Sequence, residues 1–302
     1  MWPFVLSGVL ALLLVAGAAT VLLVRRAPTP VTDQLADGVS VGGTMTGDAQ
    51  KLADVLTKSG LECSVRFTSA DGGHAGCFAA TSSTTIATVY QYHSDGTVSA
   101  LTIDVKAKGD TAPTLLALTT IVGKVVFPAD MPELIAVMRQ SWGGASEGSW
   151  GKYEMMSRGP KTVLNAEKSG NKQLEVPVLH LDTTEPDLAK GLTADGYSCT
   201  ADNETCQHKP GFALKFSGPN DGGLTYLVAT AVPDSGFEQL RATVFGHLHG
   251  AAVAPVQEWI GAHLDGRSHV AYVAGWRVSL EAVPGKQTRL TLFNDEFFLQ
   301  MT

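Results

Sequence analysis

LADVLTKSGLEC runs from Leu52 to Cys63, and LAKGLTADGYSC runs from Leu188 to Cys199. The two stretches lie 136 positions apart and agree at Leu52/Leu188, Ala53/Ala189, Leu56/Leu192, Thr57/Thr193, Gly60/Gly196 and Cys63/Cys199. The shared leucines are four apart, which places them on one face of a helix. A glycine closing such a run suits the C′ position, because it enters the left-handed conformation without a Cβ penalty. Each stretch therefore reads as helix, glycine stop, then a strand that carries a cysteine.

Paired strands follow in both places. CSVRFTSADGGHAGC turns at Asp71-Gly72-Gly73 between Cys63 and Cys77, and CTADNETC is a tighter version between Cys199 and Cys206. A hairpin sets such positions opposite one another, within reach of a disulfide. Neither pair has the C-x₂-C spacing of a zinc site, so two structural bridges are expected, Cys63–Cys77 and Cys199–Cys206. Closing loops of this size contributes ~2–3 kcal/mol in the chain-entropy picture.

Beyond the cysteines the offset becomes 126: Asp95-Gly96 matches Asp221-Gly222, Trp150 matches Trp276, and Gly159 matches Gly285. The change is local, since Cys77 to Asp95 spans 18 positions and Cys206 to Asp221 spans 15, and the second cysteine hairpin is itself shorter. Helical segments come next in both copies. DTAPTLLALTTIVGK starts at Asp110/Thr111 with Pro113 in its first turn, and DSGFEQLRATVFGHLHG offers Ser235 with Glu238 as a capping box. A second helix follows Pro132 and Pro255, and a hairpin closes each copy. The expected order per copy is helix, four strands, two helices, two strands. Short turns between consecutive strands make the sheets mostly antiparallel, so the fold class is α+β: a tandem duplication with helices on one face of each sheet.

The N-terminus differs in kind. Met1 to Val24 carries no charged side chain, and about 20 such residues span a hydrocarbon core. Ala16-Gly17-Ala18 offers a cleavage site, but apolar residues continue past it to Val24 and no basic residue precedes the run, so an uncleaved anchor is expected. The domain plan is then a transmembrane anchor over 1–26, a Pro/Gly/Thr-rich linker over 27–48, a first α+β domain over 49–166, an interdomain linker over 167–184 and a second domain over 185–302. Within the interdomain linker, LEVPVLHLD reads as an edge strand, where proline is tolerated.

Arg25-Arg26 after the span argues for a cytoplasmic body by the positive-inside rule. Four cysteines divided two and two argue for an oxidising compartment, and they prevail, because long domains translocate largely regardless of charge. The expected location is a single-pass cell-membrane protein with extracytoplasmic domains.

Composition narrows the functions. With 44% apolar and 17% charged residues the chain is globular rather than disordered. After Arg26 there are 20 basic against 29 acidic side chains, and no basic run appears, so nucleic acid is excluded as a partner. No Walker loop, dinucleotide fingerprint or haem motif is present, and no cofactor is expected. Gly144-Ala145-Ser146-Glu147-Gly148 fits G-x-S-x-G, but a nucleophile elbow needs a strand before the serine and a helix after it. Here a helix precedes and a strand follows, and DGRSHVAYVAGW in the second copy lacks the motif, so a glycine loop is the reading. His247-Leu248-His249 resembles a metal pair, yet at a helix end the two rings point ~200° apart. His263 and His269 join a site only if the tertiary fold brings them to it. Asn203-Glu204-Thr205 is a sequon at a hairpin tip, with Asp202 and Glu204 read as a solvated turn. Trp150 and Trp276 read as core; Trp142 and Trp259 lie on the second helices, where packing is the first reading and flanking an interdomain groove the second. No catalytic, cofactor-binding or metal-binding residue is therefore assigned.

The helix–Cys–hairpin–Cys opening, used twice at Cys63/Cys77 and Cys199/Cys206, is loosely similar to the tandem domains of secreted β-lactamase-inhibitor proteins. The likeness covers only the opening of each copy, and the two further helices depart from that pattern. The leading expectation is a membrane-anchored, non-catalytic binding or interaction protein whose protein or small-molecule partner the sequence does not specify. The alternative is an envelope hydrolase with a site between the domains. Titratable side chains converging between the domains would favour the alternative.

Overall fold

The structure, a computed structural model, describes residues 34–35 and 38–294, apart from 141–142, 209–210 and 220–221. The expected anchor, Trp142 and Asp221 lie outside the described residues. Among the described residues no helix is long and apolar enough to cross a membrane.

The protein is α+β, with two antiparallel sheets. In the first half the elements are β1 (Gln34–Leu35), β2 (Val39–Val41), α1 (Gly47–Lys58), β3 (Glu62–Ser69), β4 (Gly72–Ala80), β5 (Thr84–His93), β6 (Val98–Ala107), α2 (Ala112–Val126), α3 (Met131–Gln140), β7 (Gly144–Glu147), β8 (Gly151–Arg158) and β9 (Lys161–Lys168). In the second half they are α4 (Glu185–Ala194), β10 (Ser198–Cys199), β11 (Thr205–His208), β12 (Phe212–Ser217), β13 (Tyr226–Ala231), α5 (Phe237–Gly246), α6 (Val253–Ala262), β14 (His269–Val273), β15 (Trp276–Val283) and β16 (Gln287–Phe293). The nine-stranded sheet runs β1-β2-β3-β4-β5-β6-β9-β8-β7, and the seven-stranded sheet runs β10-β11-β12-β13-β16-β15-β14. Once β1 and β2 are set aside, the two orders match strand for strand.

The opening stretches form as their residues dictate. Leu52, Ala53 and Leu56 of α1 are buried, as are Leu188, Ala189 and Leu192 of α4. Gly60 has φ +90° and Gly196 has φ +88°. Behind each, two amides reach back into the last helical turn: Gly60 N to Thr57 O and Leu61 N to Leu56 O, Gly196 N to Thr193 O and Tyr197 N to Leu192 O. That pair of bonds is the Schellman stop. The repeated threonines also have a task. Thr57 donates to Cys63 Sγ at 3.4 Å and Thr193 to Cys199 Sγ at 3.7 Å, which ties each helix to the disulfide strand that follows.

Both bridges are present, Cys63–Cys77 and Cys199–Cys206. Each joins residues directly opposite one another in neighbouring strands, with Cα atoms 4.0 Å apart. Residues α1 to α3 and the inner face of the first sheet enclose one core, including Leu56, Cys77, Leu101, Val122 and Met138. A second core gathers Leu188, Cys206, Phe216, Leu240, Ile260 and Trp276.

Several expectations need correction. The linker over 27–48 contributes β1 and β2: β2 pairs with β3, and buried Val41 packs into the second half's core. LEVPVLHLD forms no strand, because its amides serve different elements: Leu174 N reaches Gln91 Oε1, Leu181 N reaches Leu224 O, and Asp182 N reaches His249 O. The capping box does not form. Ser235 lies in a 3₁₀ turn over Asp234–Gly236, Gly236 is the N-cap of α5, and Glu238 pairs with Arg241 instead. Finally, each half closes with three strands rather than two, since β7 and β14 precede the expected hairpins.

Candidate functional site

β14 decides where the halves meet. Its residues His269 to Tyr272 are buried, and it crosses β3 and β4 of the first half. Strand alternation explains the contact: Cys77 points into the first core, while its neighbour Phe78 points out through the opposite face. Phe78, Ala87, Val89 and Ala100 on that face form a third apolar cluster with Val270 and Tyr272 of β14. The Tyr272 ring meets Phe78 edge-on at 5.3 Å, and the Arg277 guanidinium lies 5.0 Å over the Phe78 ring. Gly76 is required at this crossing, because a Cβ there would stand 2.7 Å from the Tyr272 ring and 2.5 Å from the Phe78 ring.

Polar bonds frame the apolar patch. Tyr272 N donates to Ser64 Oγ at 2.7 Å. Arg66 is 1% exposed, donates through Nε to Gly275 O and through a terminal nitrogen to Asn294 Oδ1, and stands over the Tyr272 ring. A buried cation with fixed acceptors resists being pulled out of register, since each bond lost leaves a desolvated group.

At one end of this seam, titratable groups from both halves converge. Glu62 at the start of β3, His263 just after α6 and His269 at the start of β14 present ligand atoms that all lie within 4.8 Å of one another. His269 Nδ1 is 3.3 Å from Glu62 Oε1, and its Nε2 is 2.9 Å from Asp265 Oδ1. His263 Nε2 is 4.0 Å from Glu62 Oε2. The other His263 nitrogen, Nδ1, lies 2.6 Å from the Trp259 carbonyl, which only accepts, so Nδ1 carries the hydrogen. Trp259 also stacks on the His263 ring at 4.4 Å, and the two imidazoles meet edge to face at 4.7 Å. Arg267 is bonded to the far side of Asp265 through Nε and a terminal nitrogen.

The electrostatics follow from these contacts. Burial disfavours a charged His269, but hydrogen bonds to Glu62 and Asp265 and their negative charge outweigh it and raise its pKa above the ordinary histidine value. Asp265 is also partly desolvated, yet Arg267 and His269 hold its carboxyl far below the usual range. The cluster can therefore hold a proton between two carboxylates, or offer two imidazoles and a carboxylate to a cation.

The sequence named His263 and His269 only as completions of a pair at His247 and His249, and that pair does not form a site. His247 caps α5 and bonds Asp195 at 2.7 Å, while the amide of His249 donates to Thr183 Oγ1. Glu62 was missed altogether, because its partners lie about two hundred positions away in sequence. Ser146 sits on β7, opposite Tyr153, rather than in a glycine loop or on a strand-to-helix elbow. Trp276 is core, whereas Trp150 is half-buried against Phe127 and Tyr153. Asn203 of the sequon has φ +61° in a turn held by Asp202, which accepts from Thr200 Oγ1 and Glu204 N. Beside the seam, a groove of ≈ 340 Å³ runs between the β4–β5 turn and β14–β15, lined by Thr81, Ser83, Lys106, Lys108, Ser268 and Ser279 among others.

The chain matches no protein-family model, and no curated protein matches it in sequence.

Proposed function

We propose that this is a membrane-anchored, extracytoplasmic binding or interaction protein, built from two copies of one α+β unit over 49–166 and 185–302. The observation that carries the reading is the pair of disulfides, one across the first hairpin of each half. Bridges persist in oxidising compartments, and the apolar run from Met1 to Val24 supplies an anchor long enough to keep the body at the outer face. Support for duplication comes from the matching strand orders and the twin Schellman stops. The binding reading, rather than a serine hydrolase, is supported by Ser146 standing on a short strand. The groove at the junction, where Lys106, Lys108, Glu281 and several hydroxyls alternate with Val270 and Val283, offers room for a small partner. Nucleic acid is not among the partners.

One observation favours the alternative of a hydrolase acting between the halves: titratable groups do converge there, at Glu62, His263, Asp265 and His269. A reporter enzyme active only after export, fused behind Thr302, tests the principal reading. It should be active in cells, and activity only of a cytoplasm-specific reporter would refute it. Hydrolysis of a simple ester by the purified chain, abolished in both His263→Ala and His269→Ala, would establish the alternative.

A further inference from the structure

We propose that Glu62, His263 and His269 form a binding site for a divalent transition ion of the zinc class, which clips the two halves together across their seam. The inference stands on side-chain geometry and is independent of the compartment and of the binding reading.

Two imidazoles and one carboxylate are a donor set for zinc-class ions, whereas calcium and magnesium take oxygen ligands. Metal–ligand bonds of about 2.0–2.2 Å place tetrahedral donor atoms roughly 3.4 Å apart. The His269–Glu62 and His263–Glu62 contacts, at 3.3 Å and 4.0 Å, bracket that spacing. With all donor atoms inside 4.8 Å, small side-chain rotations close the set.

The second layer of contacts strengthens the assignment. Ligating histidines usually donate their other ring N–H to a carboxylate or a backbone carbonyl, which fixes the tautomer and turns the lone pair on the metal. Both histidines have this arrangement already. His263 Nδ1 donates to the Trp259 carbonyl, which directs Nε2 at Glu62. His269 Nε2 faces Asp265, which directs Nδ1 at Glu62. Asp265 is held in turn by Arg267, and both histidines are buried. On binding, the ion takes the place of the proton on His269 Nδ1, and that proton leaves to solvent. Three protein ligands leave a coordination position for water or for an anionic group of a bound partner.

Topology gives the site a purpose. Glu62 begins the β3 strand of the disulfide hairpin, and the histidines flank the loop from α6 to β14, so an ion there ties the halves at the strand that joins them. Internal symmetry does not repeat the set: Ser198 lies 136 positions after Glu62, and Ala145 holds on β7 the place that His269 holds on β14.

The test is titration of the full-length chain, stripped with chelator, with Co²⁺ and then Zn²⁺. One equivalent of Co²⁺ should bind with visible d–d absorption and be displaced by Zn²⁺, with a Zn²⁺ dissociation constant tighter than about 10 µM. His263→Ala and His269→Ala should each weaken binding by at least about 100-fold. Asp265→Asn, which keeps the shape and removes the orienting charge, should weaken it about 10–100-fold. His249→Ala, away from the seam, should leave affinity unchanged. X-ray absorption at the zinc edge of the unaltered protein should report two imidazoles with oxygen ligands, a readout that does not depend on any variant folding. No saturable one-to-one binding, an absorption spectrum without imidazole, or full affinity in folded His263→Ala would overturn the proposal.

Discussion

β7 and β14 hold the same place in their sheets, each at the end beside the first strand of the closing hairpin, yet they share almost nothing in composition. β7 reads Gly-Ala-Ser-Glu and is largely exposed, whereas β14 reads His-Val-Ala-Tyr-Val and is buried over its first four residues. On β7 Ala145 opposes Glu154, and on β14 His269 opposes Leu280, which lies 126 positions after Glu154. The contrast extends to the disulfide hairpins. β3 and β4 run for eight and nine residues, while β10 and β11 run for two and four. The long ladder is the one on which β14 lies, and it supplies Glu62, Ser64, Arg66 and Phe78 to the seam. In the second half the residues 136 positions after Glu62, Ser64 and Arg66 are Ser198, on the two-residue β10, and Thr200 and Asp202, which build a short exposed turn. The halves therefore differ most where one receives the other. An outer strand kept short and polar avoids unwanted pairing, and one made apolar needs a cover.

The largest expected effect tests that contrast directly. Tyr272→Ala should destabilise the body by about 3–5 kcal/mol in urea unfolding, because it empties a buried aromatic position between the halves. Separate transitions for the two halves in that variant would sharpen the assignment of coupling to β14, and a loss under about 1 kcal/mol would break it. Next come the bridges. Replacing Cys63 and Cys77 together by alanine should cost about 3 kcal/mol, and replacing Cys199 and Cys206 about 2.5 kcal/mol, since the first closes the longer loop. A reversed order would mean that the shorter second hairpin depends on its bridge through more than loop closure.

A third contrast lies at the start of the second helix in each half. Asp130 is buried and accepts from Ser149 N, the Ser149 hydroxyl, Trp150 N and Tyr153 Oη. The residue just before α6 is Ala252, packed against the second core, so an apolar contact serves where the first half uses a carboxylate. Burial works against the charged form of Asp130, but these donors outweigh it and hold its pKa below the ordinary aspartate value. Its stabilising contribution is thus complete above the unfolded value near pH ~4 and is lost as pH falls through the lower folded value. Asp130→Asn should cost about 1.5–3 kcal/mol at neutral pH and flatten that acid loss. An unchanged acid profile in urea titrations from pH 5 to pH 2 would assign the loss to other carboxylates. The smallest effect belongs to β7: Ser146→Ala should change stability by no more than about 0.5 kcal/mol and leave any binding intact.

Much of this architecture was legible because it is written in local chemistry. Helix faces set by Leu52/Leu56 and Leu188/Leu192, stops at Gly60 and Gly196, and cysteines spaced for hairpins each depend on residues close in sequence. β14 escaped because a five-residue apolar run beside Gly275 reads as loop until its cover on β3 and β4 is known. The linker strands escaped for a related reason: β2 is held by pairing with β3 and by Val41 reaching the other half's core, neither of which a Gly-rich segment announces. The cluster at Glu62, His263 and His269 was the least legible part, since its members come from two halves and each alone looks like an ordinary surface or helix-end residue. What signal there was lay in His263 and His269 flanking Asp265 within seven residues.

Peptide mapping under non-reducing conditions, on the full-length chain isolated from its own cells with free thiols blocked at lysis, tests the two internally stapled halves most directly. The expected result is one linked peptide pair containing Cys63 and Cys77, a second containing Cys199 and Cys206, and no blocked thiol at any of the four positions. Four blocked thiols, or a bridge from Cys63 or Cys77 to Cys199 or Cys206, would contradict both the folding of each half around its own hairpin and the extracytoplasmic placement proposed above.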